Sequence, residues 1–336
     1  APIPTLWMVQ GDGRLLGLTY APEEAVAGWH EHTTDGSFES VCVVPEGRED
    51  IVYAVIQRTI NGSSVRYLER MAERYYATLA DRRFLDSFGT FDGTNTGATT
   101  LTLTGGTNWL AGETITLTAS ASTFAYPATT DKGDQIKWLG LYRVKITATS
   151  SATVATGVIL DSFASAPAAP STVWAWGRDT ISGLGHLEGK QVQIVADGVV
   201  LQPQTVVSGE VKLRTRAAIG SPSAVTVGFK VHVGLGYTAE AVTMPPAIPV
   251  DGLGHGRRGS VTHASIRMRR SAPFRVGPLG GVAQSLNLVQ EADDFTGDAR
   301  ELVEGEWSSD KQIRMVQTDP LPMVVTGAVY TVTWGG

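Results

Sequence analysis

The chain has a single cysteine, Cys42, among 336 residues. That excludes an internal disulfide framework and a cysteine-rich zinc site. No apolar run approaches the ~18 residues a membrane-spanning helix needs, and no basic-then-apolar leader opens the chain. Charged residues are scarce, 18% against roughly 25% in ordinary soluble domains. Acidic residues outnumber Lys and Arg by 33 to 27, giving a net charge of −6. A molecule acidic overall is not a basic clamp for nucleic acid. HExxH and GxSxG are missing too, and with them the local signatures of zinc peptidases and α/β-hydrolases. The sequence starts at Ala1 with no initiator Met, so a processed product or a piece of a longer protein is expected.

What is present is Gly, 38 residues of it, with Thr, Val and Ser dominating many segments. This mixture predicts many short strands joined by tight turns, mainly β with little helix. Leu6 to Pro45 divides into four short strands around the turn signals Gly11–Gly13 and Asp35-Gly36. Asn61-Gly62 joins "DIVYAVIQRTI" to "SSVRYLERM", a strong hairpin signal. Four antiparallel strands in about 40 residues fit a β-propeller blade or part of a sandwich. Leu68, Met71, Tyr75 and Leu79 have helical spacing, which allows a short helix or an irregular exit from the sheet.

Composition sets four expected segments: residues 1–84, the propeller-blade portion; 85–170, a small inserted β domain; 171–256, a platform-like β domain; and 257–336, a closing β segment. Within the second, Gly89 to Ala168 is rich in Thr, Gly and Ala and ends at a linker-like "APAAP". Small barrel or sandwich domains suit these strand lengths.

Candidate chemistry must be weighed against plainer roles. His30 and His32 sit at i and i+2 of a predicted strand, so both imidazoles share a face. Asp35 or Glu39 would have to supply a third metal ligand. A solvated or hydrogen-bonded strand face opposite Trp29 is the favoured reading, and no metal is required. "GLGHLEGK" fails as a phosphate loop, because Leu184 stands where a Gly is needed and Gln191 follows Lys190. "FDGTNTG" lacks the spacing and terminal Glu of a calcium loop, so Asp92 and Asn95 read as turn residues. Trp174 and Trp176 share a strand face, with core packing favoured over sugar stacking. Cys42 reads as an inert strand residue.

The densest charge lies near the C-terminus. Arg257, Arg258, Arg267, Arg269, Arg270 and Arg275 occupy a stretch without Asp or Glu. On "VTHASIRMRR", strict alternation puts Val261, His263, Ser265, Arg267 and Arg269 on one face. An acidic run from Glu291 to Asp310, including Glu301 and Glu304, is expected as a loop. These residues are candidates for a subunit interface or a channel lining. A salt-bridged contact with a neighbouring subunit's acidic loop is favoured over phosphate.

"LWMVQGDGRLLGLTY", the strand through Trp29 and His30, the Asp35-Gly36 turn and the run Glu39, Ser40, Val41 to Pro45-Glu46-Gly47 together resemble the tail nozzle proteins of short-tailed bacteriophages, also called tail tubular protein B. "DIVYAVIQRTI", "RYLER", "ISGLGHLEGKQVQIVADG", "VHVGLGYT", "DFTGD…GEWSSDKQIRMVQTDPLPMVV" and the final "VYTVTWGG" extend the resemblance over nearly the whole chain. The segment Gly89–Ala168 more loosely resembles a small β domain inserted in some members. The resemblance implies a structural, non-enzymatic virion protein without cofactor. It implies a homo-hexameric ring below the head-to-tail adaptor, near tail fibres or spikes, passing double-stranded DNA during ejection. It also implies a β-propeller of which this chain holds the last portion. The rival readings are a tail depolymerase, which would need paired carboxylates in a groove, and a glycan-binding module presenting Trp109, Trp174 or Trp176.

Overall fold

The computed structural model describes residues 4–47, 49–167, 169–218, 222–246, 258–286, 294–303, 305, 307 and 311–334. Among these the chain is mainly β, with three short 3-10 turns and no α-helix. It divides into two compact units, Ala1–Ile56 with Leu68–Asp86 and Gly236–Gly336, and Gln57–Tyr67 with Ser87–Leu235.

The first unit opens with an antiparallel sheet of β1 (Thr5–Val9), β2 (Leu15–Ala21) and β3 (Val26–His32). Its first hairpin turns where the glycines demand: Gly13 adopts φ +86°, a region glycine enters without penalty. Pairing register sorts the side chains. Leu6, Leu18 and Trp29 form one cross-strand row, and Met8, Leu16 and Glu31 the next. Trp7, Gly17 and His30 form a row on the opposite face.

A second three-stranded sheet joins β4 (Ser37–Glu46), β5 (Glu49–Ile60) and β6 (Ser63–Arg70). The four strands expected between Leu6 and Pro45 therefore split between two sheets. At Asp35-Gly36 the chain makes no tight hairpin. Gly36 takes φ +147° and the Phe38 N–H donates to the Gly13 carbonyl at 2.9 Å, steering β4 onto β5. Asn61-Gly62 behaves as its sequence says, with φ +46° and +76°, the left-handed pair of a tight β-hairpin turn. After Arg70 the chain leaves irregularly and makes one 3-10 turn, Leu79–Asp81, closed by a reciprocal Thr78–Asp81 capping box. The helical spacing of Leu68 to Leu79 yields no helix, since Leu68 is already committed to β6.

In the second unit, β7 (Asp86–Asp92) leads to a six-stranded sheet. Its strands are β8 (Leu101–Thr104), β9 (Thr114–Ala119), β10 (Gln135–Trp138), β11 (Tyr142–Thr149), β12 (Val154–Ile159) and β13 (Trp174–Gly177). The spatial order is β13-β10-β11-β12-β9-β8, and a bridge between Leu101 and Ser171 curls the outer strands towards each other. Inward alternation fills this curl with Leu101, Ile115, Leu117, Ile136, Trp138 and Val144, all buried. The sheet runs past the composition break at residue 170, because Trp174 pairs with Trp138 across β13 and β10.

The same unit holds β14 (Thr180–Ile181), β15 (Gln191–Ala196), β16 (Val199–Val200), β17 (Gln204–Thr205), β18 (Val211–Lys212) and β19 (Lys230–Leu235). β14 pairs with β18, and β16-β15-β19-β7 form a second core sheet with β17 on β15. Leu187, Val192, Ile194, Val206, Leu213 and Val233 are its buried heart. Asp197-Gly198 turns β15 into β16 with φ +50° and +83°.

The first unit resumes with β20 (Ala239–Val242), β21 (Gly259–Ser271), β22 (Arg275–Pro278), β23 (Gln284–Ser285), β24 (Phe295–Leu302), β25 (Ile313–Gln317) and β26 (Val325–Trp334). The sheets β24-β21-β26 and β20-β25-β22-β23 share one core of Ile266, Met268, Phe274, Val276, Ile313 and Met315. The acidic stretch expected as a loop thus contains a strand, β24. Its alternation is hidden because the inward positions include Gly297 and Ala299, too small to read as a hydrophobic face.

Candidate functional site

Strand β21 is the centre of the cationic region. Arg267 faces Asp298 of β24 across the sheet. The guanidinium grips the carboxylate with two bonds, Nε to Oδ1 at 2.8 Å and NH2 to Oδ2 at 2.9 Å. This fork geometry suits arginine and not lysine. The hydrogen bonds hold the Asp298 carboxyl below its usual range and raise the Arg267 guanidinium. The acidic partner of Arg267 is therefore in its own chain, one strand away. Arg269 and Arg300 are exposed, and Arg300 lies opposite Ser265. Arg258 is exposed just before β21. Glu301 pairs in register with Ala264. Arg257 and Glu304 lie outside the described residues.

Two irregularities rearrange the faces that strict alternation predicts. The pairing of β21 with β26 shifts between Val261 and His263. A bulge there inserts Thr262 as an extra residue and turns Val261 into the core beside Ala264 and Ile266. The pairing with β24 shifts again between Met268 and Ser271. Arg270 sits in that second bulge with φ +44°, a conformation that strains a non-glycine residue by roughly 1–3 kcal/mol. Strict alternation would set it on the buried face of Ile266 and Met268, whereas in the bulge it is half-buried beside Tyr76.

Neighbours hold Arg270 in place. Its NH2 donates to the Tyr76 carbonyl at 2.9 Å, and its guanidinium lies 4.4 Å from the Tyr76 ring centre and 5.5 Å from that of Tyr75. The Tyr76 hydroxyl donates to the Asp294 carboxylate, and burial plus that bond push its ionisation far up. Asp294 also pairs with Arg82, and both side chains are buried. The cluster locks the bulge, with Arg270 and Asp294 opening onto a shallow cleft beside Thr78.

His30 and His32 do share a face, yet the solvent relation is the reverse of the sequence reading. Trp29 on the other face is 61% exposed, while the two imidazoles are half-buried against Trp7. Ring centres lie 5.4 Å from Trp7 to each histidine and 5.2 Å between the histidines. Both Nε2 atoms are buried without a hydrogen-bond partner. Burial lowers both pKa values, that of His32 to about 4, with the Arg74 cation adding to the effect. Neutral imidazoles set against an indole are packing groups at pH 7. Among the described residues no three His, Cys, Asp or Glu side chains gather as an ion site.

The remaining candidates have structural roles. Trp174 and Trp109 are buried, and Trp176 packs on the same core. Asp92 accepts the Thr94 N–H at 3.0 Å and pairs with Lys230 at 3.0 Å, while Asn95 donates to the Thr99 and Thr172 carbonyls, both at 2.9 Å. "GLGHLEGK" is a 3-10 turn, Gly185–Leu187, entering β15. Cys42 is exposed on β4. Sequence reasoning missed the Tyr76–Asp294–Arg82 lock, since nothing local links residues more than two hundred positions apart.

Comparison with the models of known protein families and with curated proteins finds no match to this chain.

Proposed function

We propose that the protein is a structural subunit of a bacteriophage tail, part of a ring that conducts DNA out of the head. The observation that carries this reading is the open face of β1-β2-β3. Leu6, Met8, Tyr20 and Trp29 are all exposed there, on rows fixed by strand register. A single chain rarely leaves a contiguous apolar sheet face to water, and such faces mark contacts between subunits. The sequence resemblance to tail nozzle proteins supplies the kind of assembly, a hexameric ring beneath the head-to-tail adaptor.

The electrostatics support a conduit. Each Lys or Arg contact with phosphate releases counterions and tightens the grip on a moving duplex. Here the net charge is −6 and Arg267 is already engaged by Asp298. Arg269 and Arg300 remain for a neighbouring subunit or for passing phosphates. The reading is tested by electron microscopy of the purified protein with its adaptor, and by antibody labelling of virions. Rings of six subunits with a central passage, and label at the tail, are expected. Monomers that never form rings with the adaptor, or unlabelled tails, would overturn it.

A further inference from the structure

One end of the curled six-stranded sheet carries a second apolar surface, of a different shape. The β10–β11 turn presents Leu139 and Leu141, 46% and 70% exposed. Val173, 58% exposed, flanks them, and its carbonyl accepts the Leu139 N–H at 2.9 Å. Leu110, 53% exposed, stands on the neighbouring loop. Beneath these aliphatic groups runs a chain of rings. Tyr142 stacks on Phe163 with centres 4.2 Å apart, and Phe163 meets Trp109 at 5.5 Å. Each displayed leucine, Leu141 and Leu110, is thus the immediate neighbour of an anchored aromatic.

Three features identify what this tip meets. First, most N–H groups of its loops are already engaged. The Glu113 carboxylate accepts the N–H groups of Thr107, Asn108, Trp109 and Leu110 at 2.9 to 3.3 Å. Ala111 donates to Ser162 Oγ, Gly112 to the Ile159 carbonyl and Leu141 to the Trp138 carbonyl. Second, the nearest charges are tied back. Arg143 is held by Asp161 at 2.7 and 2.8 Å, and Glu113 is spent on the loop. Third, Leu139 adopts φ +50°, where Asn or Gly would be easier. A strained, exposed leucine points to a use for its side chain.

A protein pocket would reward unpaired polar groups on the tip. Hydrocarbon penalises them, because lipid offers no hydrogen bonds. We propose that this tip inserts shallowly into a lipid bilayer, anchoring the sheet's end at the membrane interface without spanning it. No helix among the described residues is long and apolar enough to cross, and shallow insertion requires none. This inference stands apart from the ring reading and from the open face of β1-β2-β3.

The test is flotation of the full chain with phosphatidylcholine vesicles, with and without phosphatidylglycerol. Wild-type protein should float with both compositions. Leu141→Asp should lower the bound fraction about tenfold, the equivalent of ~1.4 kcal/mol, and Leu110→Asp should act in the same direction. Both side chains are exposed, so an unchanged melting temperature separates this loss from misfolding. In a Cys42→Ser background, a polarity-sensitive dye on Leu141→Cys should shift to the blue when vesicles are added. A wild type that never floats, or variants that float as well as wild type, would overturn the proposal. Self-association abolished by Leu141→Asp, with no vesicle binding, would assign the tip to a second copy of the chain and overturn it equally.

Discussion

Trp7 and His30 meet edge to face across Gly17, with ring centres 5.4 Å apart and planes at 86°. Gly17 makes this possible. A Cβ built there would lie 2.2 Å from His30 Nε2, so the imidazole occupies the space a side chain would take. Gly17→Ala is expected to destabilise the first unit by roughly 1–3 kcal/mol, the usual range for overpacking. Adding His30→Ala should recover most of the loss, because the offending ring is gone. Urea unfolding of the two variants decides. Equal stability of Gly17→Ala and wild type would show that the ring moves aside freely.

The same cluster sets a pH dependence. Burial lowers His32 to about 4, below the ~6.5 of an unfolded histidine. The folded state therefore prefers the neutral ring. Its contribution is fully present above pH 6.5 and is lost as pH falls towards 4. Allowing for partial exposure, the loss should be roughly 2 kcal/mol relative to His32→Gln. Asp134 runs the other way. Burial is the main cause raising it to about 6, against Arg178 at 3.2 Å. Its folded state holds a proton that the unfolded state has lost, so stability falls as pH rises from 3.8 through 6. Hydrogen exchange should show β2 and β3 loosening on acidification while β10 and β11 tighten.

Arg267→Glu should lower the melting temperature by setting two carboxylates opposite each other in register. Asp298→Arg in the same chain should restore it, whereas charge reversal at Glu301 should not. Rescue through Glu301 alone would return the contact to a neighbouring subunit.

Asp294→Ala should be costly, about 3–5 kcal/mol. It removes the carboxylate that pairs with the buried Arg82 and accepts from the Tyr76 hydroxyl, which is left with the Arg270 carbonyl at 3.0 Å. Replacing Tyr76 by Phe should cost less, about 1 kcal/mol, since Arg270 keeps its ring contact. Chemical denaturation of the two variants gives the ranking.

The mainly β architecture was legible because it rests on local signals. Asn61-Gly62 and Asp197-Gly198 turn as their residues require, and the strands flanking them follow. What stayed hidden depends on departures from period two. The bulges at Thr262 and Arg270 change which side of β21 each residue meets, and no residue type announces them. β24 reads as a loop because its inward positions include Gly297, Ala299 and Glu301. Trp29 is exposed against the preference of tryptophan for burial, because Trp7 packs with the two histidines on the other side. Leu139 follows neither propensity nor alternation, so the turn at Leu139-Gly140 is found only in the folded chain.

That turn has a consequence for anyone improving the protein by stability alone. Leu139 holds a left-handed backbone that asparagine tolerates better, so Leu139→Asn is a substitution a thermostability screen would favour. Each such gain would blunt the apolar tip. Variants ranked by melting temperature would drift towards a sturdier scaffold that has forgotten what its end is for, and a screen that scores vesicle binding beside heat tolerance would keep the leucine.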